Sequence, residues 1–440
     1  MSPPMSGSSA APPASPTAVT RARWPGPRER LVFRAASAVI VVHLLANAFV
    51  ALEPGATWSD HLLAALIPTT LVVLAAVEYG RLAAGLRASL ALLIGIPTVV
   101  AGAVALASVL RGAATADDWI GLLVIVAGGV LVALAGWILW VSRKRGGPAW
   151  WRWTRRALLA LSGLLVLYWV VVPFSLAVVA TERPRDPVGT VDLGAASEDV
   201  TLQTADGLTL SAWYVPSRNG AAIILLPRDW THEQARMLAR NGYGVLLVDM
   251  RGYGDSEGDA NAYGWGASRD VEAAVAYLRT RPDVEEGRVG GLGLSVGGEQ
   301  MIDAAAGNAG LRAVVSEGAG LRSARESFDR DGPALWQKVL QYPQDLMQTA
   351  SVWVLSGETP PPPLKEQVAR IAPRALFLIY GEEGQEIEQV LNPVYYAAAG
   401  QPKELWEVPS AGHTGGLEAR PEEYERRVVG FFDEYLLGGE

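Results

Sequence analysis

Five long apolar stretches in the first 180 residues constrain this chain more than any other sequence feature. Each is close to the roughly 20 residues that an α-helix needs to cross the ~30 Å hydrocarbon layer of a membrane. The stretches cover residues 33–52, 61–79, 88–110, 119–141 and 157–180. We therefore predict an all-α transmembrane bundle of about five helices over residues 31–180. The third stretch contains Pro97, so a buried core helix is the alternative interpretation there.

Charge divides the chain into two regions that require different solvents. Residues 1–180 contain 14 Lys and Arg against 6 Asp and Glu, whereas residues 181–440 contain 23 against 39. The acidic region has no basic stripe that would neutralise phosphates, so nucleic acid is not an expected partner. The chain has no cysteine, which excludes a disulfide and a thiolate nucleophile.

The loops between the apolar stretches predict the orientation of the chain in a cell membrane. Lys and Arg are retained on the cytoplasmic side, and the Pro/Ser/Ala-rich tail over residues 1–30 ends in several arginines. The loop before the fifth stretch is also basic and contains Arg143, Lys144, Arg145, Arg152, Arg155 and Arg156. Five spans then leave the N-terminus cytoplasmic and the region after residue 181 extracytoplasmic. The spans have no paired charges by sequence, so nothing in them suggests transport.

Residues 188–440 alternate between short β-branched strands and helical stretches, which is typical of a doubly wound, mostly parallel sheet. Asp206-Gly207 predicts a tight hairpin between the first two strands. The predicted strands are 199–204, 208–214, 221–226, 244–249, 289–294, 312–316, 374–380 and 403–408.

A long insertion over residues 320–373 interrupts this pattern and predicts a cap over the site. Its apolar side chains would offer a pocket for an acyl or aromatic group, although simple core packing is the alternative. The candidates are Trp336, Tyr342, Met347 and Trp353.

Ser295 has the sequence context of a nucleophile. It lies between a strand and a helix in Gly293-Leu294-Ser295-Val296-Gly297, and the glycines of this G-x-S-x-G pattern allow the two elements to approach closely. Ser256 is also flanked by glycines in such a pattern, but it lies in a charged loop with no helix beginning at the serine. We therefore predict that Ser256 is a turn residue.

One of the four histidines is well placed to activate a serine. A serine needs a base, and the pKa of imidazole suits that task near neutrality. His43 and His61 belong to the apolar region, and His232 lies at a polar helix start. His413 follows the last predicted strand in a glycine-flanked loop, which makes it the candidate base.

Residues from about 195 to 440 resemble the α/β-hydrolase superfamily, nearest to its esterase and serine-peptidase-like members. The resemblance rests on the turn at Ser295, on Asp249–Ser256, which is similar to the family's D-x-R-G-x-G-x-S loop, and on Gly412-His413. It implies that a small-molecule or lipid-like ester, thioester or peptide-like substrate is cleaved through an acyl-Ser295 intermediate, without metal or cofactor. A catalytically silent binding domain and an acyltransferase are the alternatives.

The sequence departs from the family pattern at the acid that orients the histidine. Relatives place this acid in a G-x-x-D pattern after the penultimate strand, whereas this chain has Gly381-Glu382-Glu383-Gly384. Glu386 is the first candidate and Glu383 the second. Glu317, at the end of an earlier strand, is a third option.

The expected oxyanion hole also departs from the family. The backbone N–H of Val296 is one expected donor. Where relatives carry His-Gly, this chain has Pro227, which has no N–H. Arg228 or Asp229 is therefore the expected second backbone donor. The Arg228 guanidinium is a further candidate.

Overall fold

A computed structural model describes residues 26–49, 62–111, 116–142, 148–182, 189, 191–330 and 332–438. The first 25 residues of the predicted basic tail lie outside the described residues. So do His61 and Arg143, Lys144 and Arg145 of the basic loop.

The N-terminal region is entirely helical in its described part, as predicted. Its helices are α1 (Pro27–Phe49), α2 (Leu62–Glu78), α3 (Ala84–Arg111), α4 (Ala116–Val141), α5 (Ala149–Val166) and α6 (Val172–Thr181). A π-helical turn joins α5 to α6, so these two form one continuous rod. Five helices among the described residues are long and apolar enough to cross a membrane, and α3 is continuous through Pro97.

Small residues allow close packing between α3 and α4. A Cβ atom on Gly102 would lie 2.6 Å from the backbone nitrogen of Ile125, and one on Gly128 would lie 2.8 Å from the carbonyl oxygen of Gly95. Backbones that approach this closely gain packing energy that does not depend on the exclusion of water, as helices in lipid require. The packing is therefore suited to an apolar solvent.

A buried ion pair lies just outside the predicted stretches 33–52 and 88–110. Arg87, near the start of α3, donates from Nε to Oε1 of Glu29 on α1 at 2.8 Å, and the Tyr79 hydroxyl donates to the same oxygen at 3.1 Å. All three side chains are buried. The sequence does not reveal the pair because 58 residues separate its members. The pair joins α1 to α3 at one end of the bundle, and Tyr79 follows the end of α2.

The C-terminal region contains one eight-stranded sheet with the order β1-β2-β4-β3-β5-β6-β7-β8. Only the β1–β2 and β2–β4 pairings are antiparallel. The strands are β1 (Glu198–Gln203), β2 (Thr209–Val215), β3 (Ala222–Leu226), β4 (Gly244–Val248), β5 (Val289–Leu294), β6 (Ala313–Glu317), β7 (Ala375–Gly381) and β8 (Lys403–Val408). The predicted doubly wound, mostly parallel sheet is confirmed.

Helices cover both faces of the sheet because the central strands are apolar on both sides. In β3, Ile224 packs into the core on one face and Leu225 into the core on the other. The helices are α7 (His232–Arg240), α8 (Ser268–Leu278), α9 (Val296–Gly307), α10 (Ala324–Asp329), α11 (Leu335–Ser356), α12 (Leu364–Val368), α13 (Glu386–Ala398), α14 (Gly416–Ala419) and α15 (Pro421–Phe432).

The predicted cap insertion contains α10, α11 and α12. Its longest helix, α11, lies against the apolar rod, because Trp169 donates from Nε1 to the carbonyl oxygen of Leu340 at 2.8 Å and the Tyr168 hydroxyl donates to Gln341 at 2.6 Å. Of the predicted pocket residues, Trp336 and Trp353 are exposed, Tyr342 packs against Phe328, and Met347 faces a cavity beside the N-terminal helices. The insertion thus connects the two regions of the chain.

Candidate active site

Ser295 occupies a strained turn between β5 and α9. Its φ of 53° and ψ of −123° are unusual for a residue with a side chain, and such angles persist only where the surroundings enforce them. The turn holds Ser295 partly exposed at the carboxyl end of β5. A nucleophile needs this placement to reach a substrate.

The flanking glycines make this turn possible. A Cβ atom on Gly293 would lie 2.1 Å from the carbonyl oxygen of Gly297, and one on Gly297 would lie 2.4 Å from that of Leu226. Any side chain at either position would therefore push α9 away from β5 or β3. The G-x-S-x-G spacing is a steric requirement of the turn.

His413 lies beside this serine, as the sequence predicts. Its Nε2 atom is 2.8 Å from Oγ of Ser295, although 118 residues separate the two side chains. The loop after β8 brings the imidazole over the sheet edge, and its backbone has a positive φ at Ser410 and Thr414. Of the other histidines, His232 stacks against Trp213, and neither it nor His43 has a described contact with Ser295.

Glu388, which sequence reasoning missed, is the carboxylate at the other side of the imidazole. Its Oε2 is 3.0 Å from Nδ1 of His413, and the side chain is completely buried. The backbone N–H of Gln385 donates to Oε1 at 2.6 Å, which fixes the carboxylate in the first turn of α13. In the tautomer that carries its proton on Nδ1, the imidazole donates to Glu388, and Nε2 is the acceptor that faces the Ser295 hydroxyl.

The structure does not bring the predicted acids to His413. Glu386 begins α13 but is exposed, and Glu383 is exposed in the preceding turn. Glu317 is buried, but it accepts hydrogen bonds from the backbone of Gly416 at 2.8 Å and from the Tyr424 hydroxyl at 2.7 Å. It therefore supports the loop that carries the histidine without touching the imidazole nitrogens in any described contact.

Gly384 leaves space beside His413 for a carboxylate that comes from a later position in the chain. It stands where relatives carry the aspartate, and a Cβ atom there would lie only 1.7 Å from Oε1 of Glu388. The Glu388 carboxylate thus fills the space in which an aspartate side chain at position 384 would begin. Four residues separate the two positions, and the longer glutamate side chain reaches back from the helix. A glycine at the family's acid position was the signal available in the sequence.

Buried carboxylates around His413 favour its protonated form. The hydrogen bond to Glu388 is the main cause that raises the pKa of His413 above its usual value, burial opposes it, and the charges of Glu388, Glu317 and Glu299 add to it. Glu299 lies one turn after the serine on α9 and accepts from the backbone of Gly320 at 2.9 Å. Burial raises the pKa of Glu299 to about 7.

The residues expected to form the oxyanion hole lie on adjoining segments. Val296 begins α9, and Arg228 follows the end of β3, which contacts Gly297 closely. The Arg228 guanidinium is only partly paired. Nη2 is 2.6 Å from Asp249, and the group lies 4.4 Å from the centre of the Trp213 ring, but Nε and Nη1 have no described hydrogen-bond partner. The backbone N–H of Arg228 and the two unpaired guanidinium nitrogens are therefore both candidate donors, and Asp229 is exposed in the same turn.

Ser256 is a structural residue, in agreement with its predicted place in a turn. Its hydroxyl donates to the carbonyl oxygen of Asp249 at 2.6 Å and accepts from the backbone of Ser211 at 2.8 Å. The side chain is completely buried. Nearby, Arg251 donates from both Nε and Nη2 to Oδ1 of Asp270, which holds the loop in place.

Comparison with known proteins agrees with this geometry. Residues 197–410 match the family described as X-Pro dipeptidyl-peptidase (S15 family), a segment that includes Ser295 and Glu388. The mostly parallel sheet and the turn at Ser295 are those the resemblance predicts. The C-terminal region has the α/β-hydrolase fold.

The proteins similar to this chain include several that are described as uncharacterized. It is 25% identical over 250 residues to the uncharacterized protein YfhR of Escherichia coli (strain K12), covering 54% of this chain and 80% of the relative. It is 31% identical over 121 residues to the alpha/beta hydrolase domain-containing protein WAV2 of Arabidopsis thaliana, covering 26% and 39% of the two chains. Among solved structures, an esterase from Pyrococcus furiosus is 22% identical, with a TM-score of 0.45 over 57% of this chain and 99% of the esterase.

Proposed function

We propose that this α/β-hydrolase is a membrane-anchored serine hydrolase that cleaves an ester, thioester or peptide-like acyl bond through an acyl-Ser295 intermediate. One observation carries the proposal: Nε2 of His413 lies 2.8 Å from Oγ of Ser295 while Nδ1 lies 3.0 Å from buried Glu388. A serine, an imidazole and a carboxylate in this order are the parts that activate a hydroxyl near neutral pH.

The first half of the reaction forms the acyl-enzyme. Oγ of Ser295 attacks the acyl carbon while Nε2 of His413 accepts the hydroxyl proton, and Glu388 stabilises the imidazolium that results. The oxyanion accepts hydrogen bonds from the backbone N–H groups of Val296 and Arg228. Collapse of the tetrahedral intermediate breaks the bond to the leaving group, which takes the proton from Nε2.

The second half releases the acyl group. Water attacks the acyl carbon and gives a proton to Nε2 of His413, and the bond to Oγ then breaks as the proton returns to Ser295. Each half needs the same three side chains and no redox partner. The products are a carboxylic acid and an alcohol, thiol or amine.

The proposed anchor consists of the five apolar helices. Lipid is the solvent in which their exposed leucines, valines and tryptophans are stable. The basic residues before α5 favour a cytoplasmic N-terminus, so five spans give the hydrolase domain an extracytoplasmic position. Protease protection in right-side-out and inverted vesicles tests this orientation. Cleavage after residue 190 from the cytoplasmic side only would contradict it.

Turnover of defined substrates tests the chemical part of the proposal. Purified full-length protein in detergent is assayed with p-nitrophenyl esters of two to twelve carbons and, because of the family match, with alanyl-prolyl p-nitroanilide. We expect hydrolysis of at least one substrate, and a loss of at least about 10⁴-fold in Ser295→Ala. Ser268→Ala, which changes a partly exposed serine of α8, is the control and keeps full activity.

The same assay distinguishes the competing functions. Turnover that is equal in wild type and Ser295→Ala would contradict the proposal. A folded protein that turns over none of the substrates would favour a binding domain. Faster product formation with added alcohol, together with a new ester product, would favour an acyltransferase.

A further inference from the structure

The longest helix of the cap insertion, α11, exposes its large apolar side chains, unlike the helices that cover the sheet. In α8, Leu278 has no exposed surface. In α11, the exposed fraction is 67% for Trp336, 59% for Val339, 49% for Leu346 and 43% for Trp353. These four side chains follow one another at intervals of three or seven residues, so they lie along one side of the helix. The side of α11 that faces away from the protein is therefore apolar.

The charged side chains of α11 are bonded within the cap. The helix contains two of them, Lys338 and Asp345. Lys338 donates from Nζ to the carbonyl oxygen of Phe328 at 2.9 Å. Asp345 accepts from Nε2 of Gln341 at 2.9 Å and from the hydroxyl of Ser327. A surface helix in water turns its apolar side inward and its charges outward, so α11 has the reverse arrangement.

The exposed apolar side continues the exposed surface of the rod formed by α5 and α6. The hydrogen bond from Trp169 to the carbonyl oxygen of Leu340 joins α11 to the rod at one level. Ala177 and Val352 belong to one buried cluster at a second level. The contacts advance in the same direction along both helices, so α11 lies alongside the rod. Next to these contacts, Leu176 of the rod is also exposed.

We propose that α11 is an interfacial membrane helix whose apolar side contacts the hydrocarbon of the lipid bilayer. Helices of this kind bury their apolar side about 5–10 Å into the boundary between head groups and acyl chains. The exposed charges of the cap lie on α10, where Arg325 is 3.8 Å from Asp329, and they remain among the head groups or in water. A second copy of this chain is the competing occupant, but continuity with the rod favours lipid.

The inference rests on the proposed membrane anchor and extends it. The anchor holds the chain in the bilayer through the N-terminal helices alone. Contact through α11 makes the bilayer a direct partner of the hydrolase region as well. The cap is then held at the membrane surface from two sides, by the rod and by lipid.

Spin labelling tests the inference on the full-length protein, because a chain without cysteine accepts a nitroxide at any single cysteine that is introduced. Val339→Cys and Leu346→Cys place the label on the apolar side of α11 in phosphatidylcholine nanodiscs. Val390→Cys is the matched control for water, since Val390 is an exposed valine on α13 of the hydrolase region. Leu164→Cys, at an exposed leucine of the rod, is the control for lipid.

Access of oxygen and of a nickel chelate to each label is measured by electron paramagnetic resonance. Oxygen concentrates in hydrocarbon, whereas the chelate stays in water. We expect the ratio of oxygen access to chelate access at the two α11 positions to be at least about threefold that of Val390→Cys, because the hydrocarbon layer excludes water. The ratio should be close to that of Leu164→Cys.

The controls separate failure of the inference from failure of the anchor. Ratios on α11 equal to that of Val390→Cys, with a high ratio for Leu164→Cys, would overturn the inference and leave the anchor intact. A low ratio for Leu164→Cys as well would overturn the anchor itself. Low access of both reagents on α11, with dipolar broadening between labels, would mean that a second copy covers this side and would overturn the lipid assignment. None of these measurements requires turnover at Ser295.

Discussion

The two regions of this chain bury their apolar side chains against different surroundings. Leu71 on α2 and Leu123 on α4 are each 62% exposed, whereas Leu225 on β3 and Leu246 on β4 have no exposed surface. In the sheet region, the helices on both faces bury the apolar side chains of the strands. The helix bundle buries only part of its apolar side chains, and the others are stable only in a solvent of similar polarity.

The difference also separates the chemistry from the anchoring. Ser295, His413 and Glu388 all come from the sheet region, where loops at the carboxyl ends of buried strands fix polar groups on a rigid core. The helical region has its buried Glu29–Arg87 pair at one end and lines much of a separate cavity. Substitutions in the two regions should therefore change different properties.

Substitution of the newly found acid should give the largest effect. Glu388→Ala removes the group that orients His413, and we expect kcat to fall by about 10⁴-fold with little change in membrane insertion. Steady-state kinetics on the best ester measures this. The double variant Gly384→Asp with Glu388→Ala should recover at least tenfold of the loss, because the aspartate would extend into the vacated space. Full activity in Glu388→Ala would show that the acid is elsewhere.

The departure at this acid also defines what the sequence alone could predict. Strand spacing and the glycine pattern predicted the sheet and the Ser295–His413 pair, because local periodicity and steric need dictate both. The acid was not predicted, because its identity depends on the direction in which the side chains of the first turn of α13 point. Glu386 and Glu388 lie two residues apart and therefore face different sides of the helix. Sequence spacing does not say which side faces the histidine.

Truncation of a leucine in each region tests the contrast in burial. Leu246→Ala creates a cavity in the sheet core, and we expect it to lower the free energy of unfolding of the hydrolase region by about 2–5 kcal/mol. Leu123→Ala changes an exposed position of the proposed anchor and should change stability by less than about 0.5 kcal/mol. Thermal unfolding in the same detergent measures both. Equal losses would mean that α4 faces protein at Leu123.

The contact between the two regions should contribute less to stability than the burial of Leu246 does. Trp169→Phe removes the hydrogen bond from Nε1 to the carbonyl oxygen of Leu340, and a neutral hydrogen bond contributes about 1 kcal/mol. We expect a small loss of stability and faster hydrogen exchange along α11, measured by mass spectrometry. Trp150→Phe, at an exposed position on the same rod, is the control and should leave α11 unchanged. Unchanged hydrogen exchange along α11 in Trp169→Phe would mean that this contact does not stabilise α11.

The pH dependence of activity should reflect only the sheet region. Catalysis needs neutral imidazole, so kcat/KM should fall as the pH falls through the raised pKa of His413. The hydrogen bond to Glu388 is the main cause of the raised pKa, so Glu388→Gln should move this acidic limb to lower pH. Rate profiles between pH 5 and 9 measure the shift. A limb that stays in place would mean that another group controls it.

Fluorophosphonate labelling tests the central claim most directly, because the reagent reacts only with a serine hydroxyl that is already activated. Full-length protein is labelled in detergent, digested and mapped by mass spectrometry. We predict one phosphonylated peptide, with the adduct on Ser295, and its loss in both Ser295→Ala and His413→Ala. A folded wild-type protein that takes up no label, or an adduct on another serine such as Ser256, would contradict the account.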